Sequence, residues 1–249
     1  MSGHSHWSRI KHKKAVTDAR RGKSWGKLSR AITMSAKTGG NPNDNPRLRL
    51  AIDKARGENM PKDTIEKAIK KGTGEIEGVS YEEVLYEGYA SGGVAVMCLA
   101  TTDNRNRTSG EIRKLFERGG GNLGSTNCVS FMFNQKGLIA VSKDQANEEK
   151  LMEIVLEAGA DDIETLDDGY EITCSPDAFE GVRQALKDAE IETETADLAM
   201  LADNTVTLDL KGARKVLRLV DALEEQDDVD NVYTNSDIPA DVLTELAKE

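Results

Sequence analysis

No histidine follows position 12 in this chain of 249 residues; His4, His6 and His12 are the whole complement. The body of the chain therefore has no material for a Ser-His-Asp or Cys-His catalyst, and no enzymatic activity is expected. Cysteine is nearly as scarce. Cys98, Cys128 and Cys174 are odd in number and form no CxxC pair, so the thiols read as reduced, in a cytosolic compartment. No stretch approaches the run of about 20 apolar residues that crosses a bilayer, and the N-terminus lacks the apolar segment of a secretory signal. A membrane partner is not expected. With 38% apolar and 31% charged residues, the composition is that of an ordinary folded domain protein.

What the chain does have is charge, unevenly spread. Residues 1–80 carry 18 Lys+Arg against 8 Asp+Glu, a net of +10, whereas residues 81–249 carry 15 against 36, a net of −21. Between Ser2 and Arg30 stand nine cations opposed only by Asp18, with both tryptophans, Trp7 and Trp25, among them. This asymmetry points to a basic module facing nucleic acid, joined to an acidic body. The plainer alternative, a basic head folding onto the acidic body, is weakened by salt screening.

Periodicity divides the chain. Residues 1–22 read as a flexible basic tail, and 23–78 as a helical domain. In that domain Leu28, Ala31 and Ile32 form one stripe, Asn45-Pro46 announces the next helix, and Pro61 opens a third that Gly72 is expected to stop. After Gly78 the period changes to that of strands, at 82–89 and 94–101, with a helix over 105–118 and a strand in "CVSFMFN". Strand 137–142, helix 146–158, strands 162–166 and 169–174, helix 176–189 and strand 190–196 make a β-α-β-β-α-β unit. Strand 205–210, helix 212–225 and strand 229–234 complete an earlier half-unit. The fold class expected is α+β with three domains, a helical bundle and two ferredoxin-like α+β domains. Residues 135–203 are inserted in a split domain of 79–134 plus 204–249.

Several motifs fail on context. Gly119, Gly121 and Gly124 have GxGxxG spacing, but they follow a helix and precede a strand, the reverse of a dinucleotide site. "GKS" at 22–24 lacks the preceding strand of a phosphate loop. The terminal histidines lack fixed support for a metal, and the paired aspartates at 161–162, 167–168 and 227–228 sit in loops and element ends. Neither cofactor nor metal is expected.

The surviving signal is cations interleaved with aromatics, which neutralises phosphates and stacks on unpaired bases. The candidate nucleic-acid contacts of the head are Trp7, Arg9, Lys11, Lys13, Lys14, Arg20, Arg21, Lys23, Lys27 and Arg30. Trp25 is left open between stacking and core. A second cluster, "TTDNRNRTSGEIRK", puts Arg105 and Arg107 in a turn before a helix, where they suit a phosphate; pairing with an acid such as Glu111 or Glu117 is the competing reading. "GGGNLGSTN" is expected to be a mobile loop near this surface.

"GHSHWSRIKHKKAVTDARRGKSWGKLSRAI", "GGNPNDNPRLRLAIDKARGENMPKDTIEKAIKKG", "YEGYASGGVAVM", "TDNRNRT" and "GGNLGSTNCVSFMF" closely resemble the YebC/PmpR family, over essentially the whole chain. The resemblance implies a helical head with two related α+β domains, cytoplasmic location and no enzymatic activity. It also implies either of two partners. Members are described as DNA-binding transcriptional regulators. Mitochondrial relatives activate translation of a cytochrome c oxidase subunit, and bacterial members are connected to ribosomes stalled on consecutive prolines. Promoter DNA and ribosomal RNA are thus the expected partners; the oligomeric state stays open, a monomer being compatible with everything read. Deleting residues 2–22 should leave the melting temperature nearly unchanged and abolish nucleic-acid binding, and unaltered affinity in an anisotropy titration would refute the reading.

Overall fold

The computed structural model describes residues 21–166 and 169–246, with side chains from Ser24 onward. It begins with α1 (Arg21–Ala36), α2 (Pro46–Gly57) and α3 (Lys62–Thr73). Asn45 is the N-cap of α2: its side-chain oxygen accepts from Leu48 N at 3.0 Å, and Pro46 fills a position whose N–H would have no helical partner. Ile32, Leu48, Ile52, Ala55, Ile65 and Ala68 make the bundle core, with Trp25 packed against it. The Trp25 indole donates to Glu58 O at 3.0 Å, which settles that ring as structural. The stop expected at Gly72 falls instead at Gly74, in a left-handed conformation with φ 80°. Gly72 has another task. A Cβ there would lie 2.3 Å from Thr33 O and 2.6 Å from Ala36 Cβ, so its bareness lets α1 and α3 meet.

The chain continues through β1 (Glu82–Tyr89), β2 (Ala95–Thr102), α4 (Arg105–Arg118), β3 (Asn122–Leu123) and β4 (Phe133–Ser142). β1 pairs antiparallel with β2 along its length, from Glu82 opposite Thr102 to Tyr89 opposite Ala95, and with the short β3 at Gly88. The strand expected in "CVSFMFN" holds only for its last two residues, Phe133 and Asn134. Ser130–Met132 form a 3-10 turn, and a single strand then runs from Phe133 through the 137–142 segment. Val129 and Phe133, four residues apart, are buried, while Phe131 between them is 75% exposed, a turn's spacing that an apolar run disguises.

Next come α5 (Glu148–Glu157), β5 (Ala160–Thr165), β6 (Gly169–Cys174), α6 (Phe179–Asp188) and β7 (Thr195–Ala202). The sheet order β5-β6-β4-β7 is that of the β-α-β-β-α-β unit, with β4 antiparallel to both β6 and β7. The last strand, expected at 190–196, starts later and ends later. Glu190 turns the chain with φ 57°, and "ADLAMLA", a helix-favouring composition, is recruited into a strand by pairing with β4. Glu171, opposite Glu164, is buried, and that burial pushes its pKa up to about 8.

β8 (Val206–Thr207), α7 (Leu210–Glu225), β9 (Val229–Thr234), β10 (Ser236–Asp237) and α8 (Ala240–Leu246) complete the order. The strand expected over 205–210 shrinks to the two residues of β8, parallel to β10, because Leu210 already begins α7. β9 joins the earlier sheet, giving the order β3-β1-β2-β9. The fold is α+β, with helices at the N-terminal end of the described chain followed by two four-stranded sheets among the described residues. Packing separates two compact units, one of residues 129–213 and 233–246, the other of residues 21–128 and 214–232. Gly72→Ala should cost about 1–3 kcal/mol by forcing α1 and α3 apart, read as a lower urea midpoint; an unchanged midpoint would show that the two helices adjust freely.

Candidate nucleic-acid interface

The unit of residues 21–128 and 214–232 contains every described cation proposed from the sequence. A helix ends with carbonyls that have no donor of their own; Lys27 supplies one at the end of α7, and Arg30 supplies one in the turn that follows. Lys27 Nζ donates to Glu224 O at 2.6 Å, and the Arg30 guanidinium donates to Asp227 O. Burial pulls the Lys27 pKa below its ordinary value, with Asp230 pulling the other way. Lys27 thus caps α7 and Arg30 braces the turn behind it, bonds within the fold at two positions read from the sequence as phosphate contacts.

Asp228 lies in the next turn, its side chain only 10% exposed. It accepts from Thr108 Oγ1 at 2.6 Å, Arg107 Nη2 at 2.8 Å and Thr102 Oγ1 at 3.2 Å. Burial alone would raise the Asp228 pKa; the bonds from Thr108 and Arg107 outweigh it and hold the carboxyl below its usual range. Arg107 also pairs with Asp103 at 2.8 Å, and Asn104 Oδ1 caps α4 by accepting from Arg107 N at 3.1 Å. The "TDNRNRT" motif is thus a helix cap and an anchor. Arg107 pairs internally, though with Asp103 and Asp228 and not with Glu111 or Glu117. Arg105 behaves differently: its carbonyl accepts from Tyr86 OH at 3.4 Å while its side chain is exposed.

Around these residues runs an open groove of about 510 Å³, lined by Arg30, Tyr81, Asp103, Arg107, Glu111 and residues 225–228. Five carboxylates face two guanidiniums there, and both guanidiniums are engaged, so the groove has the wrong sign for phosphate. The loop "GGGNLGSTN" is held, contrary to expectation. Asn127 N donates to buried Glu87 Oε1 at 2.7 Å, Gly124 N to Glu87 O at 2.8 Å, and Tyr89 OH to Cys128 O at 3.1 Å.

The cations that remain outward are elsewhere. Lys67, Lys70 and Lys71 on α3, and Arg105, Arg113, Lys114 and Arg118 on α4, are exposed and make no side-chain hydrogen bond or ion pair with another described residue. The α3 lysines went unsingled in the sequence, although "EKAIKK" places them opposite the buried stripe of Ile65 and Ala68. Also unannounced is the connection of residues 58–61 between α2 and α3, the length used by a helix-turn-helix. Trp7, Arg9, Lys11, Lys13, Lys14 and Arg20 lie outside the described residues, as do the side chains of Arg21 and Lys23. Among the described residues, no three acids, histidines or cysteines are grouped to hold a metal, and no helix is long and apolar enough to cross a membrane.

A basic helical bundle, followed along the chain by two four-stranded α+β sheets, is the architecture of a family whose relatives carry the name of regulators. Residues 5–75 match the TACO1/YebC protein N-terminal domain, and residues 81–236 the TACO1/YebC second and third domain. The chain belongs to the TACO1/YebC family. A probable transcriptional regulatory protein of Geobacter sulfurreducens is 55% identical over 99% of this chain and its own full length. One of Treponema pallidum is 51% identical over 98% of this chain and its own full length. The crystal structure of a conserved hypothetical protein from Aquifex aeolicus, 48% identical, superposes with a TM-score of 0.85 over 94% of this chain and 97% of that one.

Because the Asp228 pKa is depressed, its contribution to stability is complete above the unfolded carboxyl value of about 3.9 and is lost as pH falls through the folded value. Asp228→Asn should therefore cost roughly 1–3 kcal/mol at pH 7 and progressively less in acid, measured as urea midpoints across pH; a deficit that does not vary with pH would contradict the assignment.

Proposed function

We propose that this chain is a non-enzymatic regulatory protein that holds nucleic acid through its phosphate backbone, with promoter DNA as the target suggested by its relatives' names. The observation that carries the reading is the sorting of cations. Lys27, Arg30 and Arg107 are bonded to carbonyls and carboxylates of the fold, yet Lys67, Lys70 and Lys71 stay exposed and unpaired among the described residues on one helix. Solvated lysines in such a row neutralise phosphates and release counterions, so affinity falls with salt. In the head, Arg9, Lys11, Lys13, Lys14 and Arg20 add cations to the same interface and Trp7 a ring that stacks on an unpaired base.

One feature of α3 favours a second target, folded ribosomal RNA. Its sequence, KDTIEKAIKKGT, has no Arg, Asn or Gln, three of the four side chains that pair bidentately with base edges in a major groove, and its lysines are flexible point charges suited to phosphate. Binding restricted to phosphates suits recognition by shape, the usual mode for RNA. Cross-linking in cells followed by sequencing of the bound nucleic acid separates the two: promoter fragments support regulation of transcription, and ribosomal RNA supports action in translation. In vitro, Lys67→Glu with Lys70→Glu and Lys71→Glu should weaken binding and flatten the salt dependence, by about 0.9 in log–log slope for each phosphate no longer neutralised. An unchanged slope would remove α3 from the interface.

A further inference from the structure

Gly110 stands in the middle of α4 with no internal reason to be glycine. A Cβ at that position would meet nothing within 4 Å, whereas Gly72 and Gly88 are each crowded by backbone and side chains of neighbouring elements. An exposed helix glycine costs about 1 kcal/mol relative to alanine, and nothing in the described packing recovers it. What surrounds it is polar and cationic. Asn106 lies one turn before it, and Arg113 and Lys114 one turn after, all exposed and on the same side at i−4, i+3 and i+4. Arg118 follows a turn beyond Lys114. Two acids share this part of the helix: Glu111, exposed and held by Gln226 Nε2 at 2.8 Å on the side of the acidic groove, and Glu117, exposed one turn beyond Arg113.

We infer that the outer face of α4, centred on Gly110, seats the sugar–phosphate backbone of the bound nucleic acid. The bare Cα lets a backbone strand approach the helix closely, Asn106 offers an amide, and Arg113 and Lys114 meet successive phosphates. This inference rests on the nucleic-acid reading above and adds a second binding surface to the α3 lysines. RNA and DNA present the same phosphodiester chemistry to such a face, so both are used as probes.

The test titrates the full chain against a labelled RNA hairpin and a labelled DNA duplex at low salt, with melting temperatures alongside. Gly110→Gln should raise the melting temperature, since glutamine is the better helix former, and yet weaken binding several-fold by blocking the approach. Arg113→Glu with Lys114→Glu should weaken it further without loss of fold. Opposite movement of stability and affinity at Gly110 is a signature that a structural role does not produce. Wild-type affinity in both variants, with a wild-type chain that binds, would overturn the α4 face alone and leave the α3 reading standing. A wild-type chain that binds neither probe would end both. Weakening confined to one probe supports the face and names the nucleic acid it serves.

Discussion

The end of α7 is the place where the larger share of this fold is decided. A helix C-terminus exposes carbonyls that need donors, and the turn behind it adds the Asp228 carboxylate, nine-tenths buried. Donors converge from three elements: Lys27 and Arg30 from α1, Thr102 from β2, Arg107 and Thr108 from α4. Each of those groups would be costly to leave unmatched out of water, so the helical bundle, the first sheet and α4 are held in one register by a single cluster of acceptors. Thr101 Oγ1, donating to Asp230 at 2.6 Å, extends the same cluster along β9.

That requirement also shapes the surface. The cations drawn into the turn are removed from the pool available to phosphates, and the acids that surround them line a groove that repels polyanions. Positive charge survives on the outward sides of α3 and α4, where no acid among the described residues pairs with it. The charge asymmetry of the sequence therefore overstates the basic interface at some positions and misses it at others. Phosphate binding by lysine rows explains salt-sensitive affinity without demanding a base-reading helix.

Local signals were legible where the physics is local. Asn45-Pro46 capped α2, and the strands at 82–89 and 169–174 began and ended where alternation placed them; the Asn104 cap of α4 is equally local but had gone unread. The errors came where a partner elsewhere in the chain outweighed propensity. "ADLAMLA" became β7 because β4 offered a ladder, "CVSFM" became a turn because Val129 and Phe133 needed burial together, and Leu210 was claimed by α7. The loop "GGGNLGSTN" looked mobile from its composition, yet one buried carboxylate, Glu87, pins it.

The amino-acid sequence by itself determined the α+β class, the Asn45-Pro46 helix start, the two-sheet plan and the division into a basic head and an acidic body, because these follow from periodicity, cap chemistry and net charge along the chain. Only the tertiary structure decided which cations are free. Arg105 and Arg107 differ by two positions and are indistinguishable in composition, but Asp228, 121 residues after Arg107, accepts from one of them and has no bond with the other. An ion pair depends on a distance of a few ångströms between carriers remote in sequence, and folding alone sets that distance.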